Sequence, residues 1–261
     1  MVIRDWSSDV CSSDLVGREI RVFQETSSTN DVMEKIARDG VAEGMVVFAE
    51  KQTRGRGRLG RRWHSPRGLG LYGSVLFRPE VSPMSVTRLT IAAAVSMVRA
   101  VESITGLRPE IKWPNDLLLG GRKVAGILTE MTAEMDRVRY AIVGLGVDVN
   151  HTSEDFPPEL RPVATSLRLA GGRLVSRGDL ALAVLRELDR DYARAMSDRF
   201  EELADEWEAR CTTIGQQVAI QMGARQLRGR AESLDTDGAL LLRTEHGHLE
   251  RVVGGDVTLE K

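Results

Sequence analysis

Gly55-Arg56-Gly57-Arg58-Leu59-Gly60-Arg61-Arg62-Trp63 is the segment whose residue types point most directly to chemistry. Glycine lets a backbone approach a ligand closely and reach positive φ, while interleaved guanidiniums offer planar forks that match phosphate or carboxylate. The segment reads as an anion clamp, expected to stay mobile until an anion offsets the repulsion among its arginines. It is not a Walker phosphate loop, because no Gly-Lys-Ser/Thr enters a helix. An RNA-binding arginine-glycine box and a plain solvated loop are the competing readings, although such boxes lie in long disordered tracts. A second cluster is Lys112-Trp113-Pro114-Asn115-Asp116, with Arg122-Lys123-Val124-Ala125-Gly126 following across Gly120-Gly121. A hairpin there gathers two lysines, a carboxylate and a carboxamide at one sheet end. Taken alone, Asn115 and Asp116 are also ordinary turn formers. Ser27-Ser28-Thr29-Asn30 reads equally as a helix cap, and Gly144-x-Gly146 either admits a flat ligand against the backbone or serves packing.

These residues need a scaffold, and the chain supplies strands and helices in a mixed order. Strands are expected at 19–23, 45–49, 71–77, 117–119, 124–129 and 140–149, with the arginine segment as the loop after the second. Asp31 and Glu34 resemble a capping box that starts a helix, Ser82-Pro83 opens a long apolar helix that Gly106 closes, and one amphipathic helix is expected from Asp179 to about Arg210. Runs at 218–220, 239–242 and 252–259, separated by Asp-Gly and Gly-Gly turns, read as a small all-β barrel. The domain division is then 16–212 and 213–261. Residues 1–15 repeat Ser-Ser-Asp at 7–9 and 12–14, resemble a translated sequencing adaptor, and are set aside as a non-native leader.

Composition bounds the function classes. A net charge of −2 with 28% charged residues gives no long-range field to gather nucleic acid or anionic lipid, so any basic site is local. Cys11 and Cys211 cannot build a disulfide framework, and the four histidines have no zinc-like spacing to them. A reducing, cytoplasmic setting fits, with neither a secretory signal nor an apolar run judged long enough to span a bilayer.

The ordered set Ser28-Thr29-Asn30, Gln52, Gly55-Arg56-Gly57-Arg58, Lys112-Trp113-Pro114-Asn115-Asp116, Arg122-Lys123-x-Ala125-Gly126-Ile127-Leu128 and Gly144-x-Gly146 resembles the biotin protein ligases. The resemblance runs from about residue 20 to the C-terminus, where Asp237-Gly238-Ala239 and Gly255-Asp256-Val257 are similar to the family's SH3-like tail. It implies an α+β fold with a mixed-sheet catalytic domain. It also implies that biotin and MgATP react to biotinyl-5'-AMP, and that the biotin then passes to a lysine of a biotin carboxyl carrier protein. By resemblance, biotin is held by Ser28, Thr29, Asn30, Gln52, Arg56, Gly57, Arg58 and Lys123 and along Gly126, Leu128, Gly144 and Gly146. Arg61, Trp63, Lys112, Asn115 and Asp148 surround the nucleotide, with Trp63 able to stack on adenine. Lys123, Arg58, Lys112 and Asp116 form the catalytic group, Asp116 doubling as magnesium ligand and as base for the acceptor lysine.

Such a reaction needs cations: two anions at ~4 Å with an effective dielectric of ~20 repel by about 4 kcal/mol, which is about three decades of rate. Two departures from the family pattern stand out. Asp148 replaces the usual asparagine, and Leu59 stands where a second arginine is frequent. No helix-turn-helix precedes the catalytic region, so operator binding is not expected, and the oligomeric state, a homodimer included, is left open. A lipoate or octanoate ligase on the same fold is the nearest rival, an RNA-binding protein the rival from another class.

Overall fold

The computed structural model describes residues 15–260, and the leader expected at 1–15 lies outside them apart from Leu15. The main sheet has seven strands: β1 (Ile20–Phe23), β2 (Val46–Ala49), β3 (Gly70–Phe77), β4 (Glu110–Lys112), β5 (Asp116–Leu119), β6 (Arg122–Glu134) and β7 (Arg137–Asp148). Their order is β1-β2-β3-β7-β6-β5-β4. Only β1 and β2 pair in parallel, which makes the sheet mixed, as expected.

Side chains alternate across a strand, so the sheet has two distinct faces. One carries Val75, Ile127, Val143, Leu145 and Val147 into the main core beneath α2 (Thr87–Thr105). The 3-10 turn Pro83–Val86 leads into α2, and Gly106 closes it with φ 76°, a conformation that favours glycine. The segment Pro83–Thr105 does meet the length and composition of a membrane span, contrary to the sequence expectation. Two thirds of its apolar window, 67%, is buried inside the protein, so its hydrophobicity serves the core.

The opposite face carries Leu76, Tyr140 and Ile142 against Met33, Ile36 and Ala37 of α1 (Thr29–Arg38). Beyond the N-terminus of α1 this face is uncovered, and there the functional residues collect. The helix begins two residues before Asp31, with Ser28 at the N-cap position, so Asp31 does not cap it. Its carboxylate instead accepts from Ser27 Oγ at 3.0 Å.

The single helix expected over 179–210 is two, α4 (Arg177–Ala195) and α5 (Phe200–Glu208), after a short α3 (Leu167–Gly171). The break follows Met196, where Ser197 Oγ donates to Arg194 O at 3.1 Å and accepts from Arg199 N at 3.2 Å, replacing helical bonds with local side-chain ones. Nor is α4 simply exposed: Leu180, Val184, Leu185 and Leu188 are buried with α2 in the core. The C-terminal strands β8 (Gln217–Met222), β9 (Arg225–Leu234), β10 (Leu240–Thr244), β11 (Leu249–Val252) and β12 (Asp256–Leu259) form a five-stranded antiparallel sheet ordered β11-β10-β9-β8-β12.

Candidate functional site

Strand register lines up the floor of the site. Tyr72, Gly146, Gly126, Asp116 and Lys112 are consecutive partners across β3, β7, β6, β5 and β4, so all five face the same side. One step closer to α1, Ser74, Gly144 and Leu128 form the next row. Lys123 has the parity of the core-facing Ala125 and Ile127. A β-bulge opposite Leu117 and Leu118 breaks that parity, and the Lys123 side chain lies over Gly126, 3.2 Å from where a Cβ there would stand. Bulges re-aim side chains in this way, so the register irregularity is what delivers the lysine to the site.

The arginine loop roofs the floor. It is a narrow ribbon closed by Trp63 N to Gly55 O at 2.9 Å and Gly57 N to Arg61 O at 2.7 Å, with a 3-10 turn Arg58–Gly60 at its tip. Leu59, 68% exposed at that tip, has φ 55°. Trp63 folds back onto the glycine row: a Cβ at Gly146 would meet its indole at 2.7 Å, and one at Gly126 at 3.3 Å. The flat group lying against these glycines is therefore the protein's own indole, with Lys123 Nζ 5.2 Å from the ring centroid. Trp63 Nε1 is buried without a hydrogen-bond partner.

Between floor and roof lies a cavity of about 520 Å³ that all eighteen residues predicted for the site line: Ser28, Thr29, Asn30, Gln52, Arg56, Gly57, Arg58, Arg61, Trp63, Lys112, Asn115, Asp116, Lys123, Gly126, Leu128, Gly144, Gly146 and Asp148. Its two ends differ in chemistry. At the α1 end, Gln52 Oε1 accepts from Thr29 N at 2.8 Å, and Gln52 Nε2 donates to Ser65 Oγ at 3.0 Å. Asn30 Oδ1 accepts from Ser74 Oγ at 2.5 Å and Asn30 Nδ2 donates to Glu130 Oε2 at 2.7 Å, which fixes the amide's orientation. This is a set of preset hydrogen-bonding groups, buried except for the half-buried Gln52.

The other end is charged. Arg58 Nη1 reaches Asn115 Oδ1 at 3.4 Å, while Asn115 Nδ2 donates to Ile127 O at 2.6 Å. Next to it, Lys123 Nζ lies 2.5 Å from Asp116 Oδ1, an ion pair by distance in which that oxygen has no hydrogen bond of good geometry. Burial lowers the pKa of Arg58, opposed by the charges of Asp256 and Asp116. Arg58 and Lys123 thus converge on adjacent residues of one turn.

The loop is not left to repel itself. Arg56 pairs with Asp31 and Glu130, and Arg61 with Asp256, so carboxylates of the protein take the part that the sequence reading gave only to an incoming anion. Asp148 is buried beside His151, whose Nε2 lies 3.6 Å from its Oδ1. Burial pushes the Asp148 carboxyl well above the usual range, partly offset by Lys123, so the negative charge that an aspartate in place of the usual asparagine would bring is suppressed. Burial, then His64, lowers His151 to about 4.

Among the described residues no group of three or more His, Cys, Asp or Glu forms a metal cage. Mg²⁺ is commonly held by one or two carboxylates together with substrate phosphates, and Asp116, whose Oδ1 lies beside Lys123 without a well-formed hydrogen bond, fits that manner of binding.

Sequence reasoning missed Asp31, Ser74, Glu130 and Asp256. Glu130 was within reach, since Gly126, Leu128 and Glu130 alternate along one face of β6. Asp256 was not, because its pairing with Arg61 spans 195 positions.

A mixed sheet with this glycine floor, arginine roof and two-ended cavity defines a ligase of the biotin and lipoate type. Residues 22–148 match the biotin/lipoate A/B protein ligase family and residues 213–259 the biotin protein ligase C terminal domain. The bifunctional ligase/repressor BirA of Bacillus spizizenii is 37% identical over 95% of this chain and 76% of its own length. The biotin–[acetyl-CoA-carboxylase] ligase of Mycobacterium tuberculosis is 34% identical over 92% of this chain and 88% of its own. The biotin protein ligase of Aquifex aeolicus in complex with biotin and ATP superposes with a TM-score of 0.77 at 29% identity, covering 94% of this chain and 99% of that one. The chain belongs to the biotin protein ligase family.

Proposed function

We propose that this chain is an ATP-dependent biotin protein ligase, which forms biotinyl-5'-AMP and then biotinylates one lysine of a biotin carboxyl carrier protein. The observation that carries the reading is the convergence of Arg58 and Lys123 on the Asn115-Asp116 turn, at the charged end of a cavity whose other end is a preset hydrogen-bonding cluster.

In this reading the ureido ring of biotin takes the α1 end, where Ser28, Thr29, Asn30 and Gln52 offer donors and acceptors, and its chain runs along Gly126, Leu128, Gly144 and Gly146 once the Trp63 indole moves off the two glycines it covers. Its carboxylate attacks the α-phosphorus of ATP, a carboxyl oxygen–phosphorus bond forms, and pyrophosphate leaves. Arg58, Lys123 and Lys112 meet the negative charge where it develops, without reorganising at the moment of reaction. Arg61, Trp63, Asn115 and Asp148 border the nucleotide, and Arg56 and Gly57 close over the adenylate. Asp116 would hold the magnesium that comes with ATP, which would neutralise polyphosphate charge.

In the second step the neutral amine of the acceptor attacks the acyl carbon and AMP departs. With a reference pKa of ~10.4, about one lysine in a few thousand is neutral near pH 7, so a base matters. Asp116 takes that proton, once substrate phosphate draws Lys123 away from it. The catalytic part is residues 16–212 and the tail 213–261, and the ATP-dependent step suits a cytoplasmic setting. Arg56 and Arg61 are turned onto carboxylates of the protein, which weighs against an RNA-binding role for the arginine loop.

Incubation with biotin, MgATP and a carrier domain, followed by mass spectrometry, is expected to add one biotinyl group to one lysine, and none when lipoate replaces biotin. Modification by lipoate alone would transfer the assignment to the lipoate branch. The buried amide of Asn30, held in one orientation by Ser74 and Glu130, argues against that outcome, because a ureido ring can engage such a preset polar group and a dithiolane cannot.

A further inference from the structure

We infer that Glu130 is a positioning residue that locks the arginine loop to the acyl-substrate end of the cavity. The proposal rests on the biotin-ligase reading for the identity of the acyl substrate, and on contacts of this chain for everything else.

Glu130 stands at the point where loop and floor meet. Its Oε2 accepts from Asn30 Nδ2 at 2.7 Å and from Arg56 Nη2 at 2.9 Å, while Oε1 accepts from the same Nη2 at 3.1 Å. One oxygen thus serves both the side chain that faces the acyl substrate and the guanidinium that anchors the loop. The other end of the guanidinium goes to Asp31 on α1, which Ser27 Oγ supports at 3.0 Å. Asn30 is only 3% exposed and is held from behind by Ser74 Oγ at 2.5 Å, so any substrate that engages Asn30 acts on an amide with a single orientation.

The network returns to the loop by a second route. Ser74 Oγ lies 2.8 Å from Thr29 Oγ1, Thr29 N donates to Gln52, and Gln52 reaches Ser65, whose hydroxyl donates to Trp63 O at 3.2 Å. Both ends of the 55–63 ribbon are therefore tied to the same four polar side chains beneath the acyl end. Glu130 is the one member of the network that carries a charge and touches both the loop and Asn30.

Glu130→Gln keeps the side chain's shape and an acceptor for Asn30, and removes the charge that holds Arg56. Exposed arginine–carboxylate pairs contribute up to about 1 kcal/mol each, so loss of the charge is expected to raise loop opening about five-fold. The loop contains Arg54, Arg56, Arg58, Arg61 and Arg62, so trypsin reads its opening directly. Limited trypsin digestion of the ligand-free chain is expected to cut within 54–62 about five times faster in Glu130→Gln and in Asp31→Asn than in the parent, with no change in thermal midpoint.

Biotin dissociation, followed by a chase with unlabelled biotin, is expected to quicken about five-fold in Glu130→Gln, and Glu130→Asp is expected to restore part of the difference. Equal cleavage of the loop in the parent and both variants would overturn the proposal. If Glu130→Gln unfolds, Asp31→Asn decides by the same digestion. Faster loop cleavage in the two variants, together with a parent that binds no biotin, would leave the lock standing and sink the biotin reading.

Discussion

Replacing Gly144 by alanine tests the acyl end at its tightest contact. A Cβ at residue 144 would stand 2.5 Å from Asn30 Oδ1, closer than atoms can pack, and a tight 3.1 Å from both Cγ and Nδ2. Gly144 lies in the middle of β7, paired with Ser74 on one side and Leu128 on the other, so the strand cannot yield. Asn30 must yield, and moving it breaks its bonds to Ser74 and Glu130. A net hydrogen bond contributes about 1 kcal/mol and one to a charged group about 2, so about 3 kcal/mol of preorganisation is lost, equal to about two decades of affinity. The extra methyl itself costs about 1–3 kcal/mol of stability.

Calorimetric titration of Gly144→Ala is expected to show biotin binding weakened about 100-fold, with MgATP binding, read at the charged end, near the parent's. A thermal melt establishes that the variant is folded. Biotin affinity within a few-fold of the parent in a folded variant would refute the placement of the acyl substrate against Asn30.

Arg58→Ala is expected to speed release of biotin and its adenylate by about 10- to 100-fold, the effect of one charge-assisted hydrogen bond, with the fold intact; unchanged release in a filter-binding assay would remove Arg58 from the site. Lys123→Gln is expected to slow adenylate formation by about two to three decades with a smaller effect on biotin affinity, as measured by single-turnover formation of biotinyl-AMP. His151, fully buried and held neutral with its pKa near 4 against an ordinary 6.5, takes up a proton on unfolding between those values. Stability is then complete above about pH 6.5 and falls by about 3 kcal/mol as the pH drops to 4, and urea unfolding of His151→Gln should show a flatter acid limb. Asp148 works in the opposite direction: its raised carboxyl pKa makes ionisation favour the unfolded chain as pH rises above the ordinary carboxylate range. Asp148→Asn should therefore gain more thermal stability at pH 8 than at pH 5.

The site was legible where chemistry constrains residue type. Glycines 126, 144 and 146, the arginines of the loop and the two hairpin lysines each do something that few other residues do at their spacing, and the strand pattern around them placed them on one sheet. Less legible were features that long-range contacts decide. Parity would have put Lys123 on the core face, and only the bulge opposite Leu117 and Leu118 turns it toward the cavity. β9 escaped notice because its inward positions are filled by the small residues Gly229 and Ala231 beside Leu227, which give little hydrophobic alternation. The break between α4 and α5 depends on side-chain bonds of Ser197 that no periodicity reports. The carboxylates that hold the loop come from 25, 74 and 195 positions away, beyond the range of local pattern.

The central step is an acyl group meeting the α-phosphorus of ATP between Arg58 and Lys123. Exchange of labelled pyrophosphate into ATP, measured with biotin, lipoate and no acid in parallel, addresses that step without a carrier protein. Rapid exchange with biotin alone, abolished in Lys123→Gln, is the predicted result. Exchange with lipoate but not biotin, or exchange that survives loss of Lys123 undiminished, would contradict it.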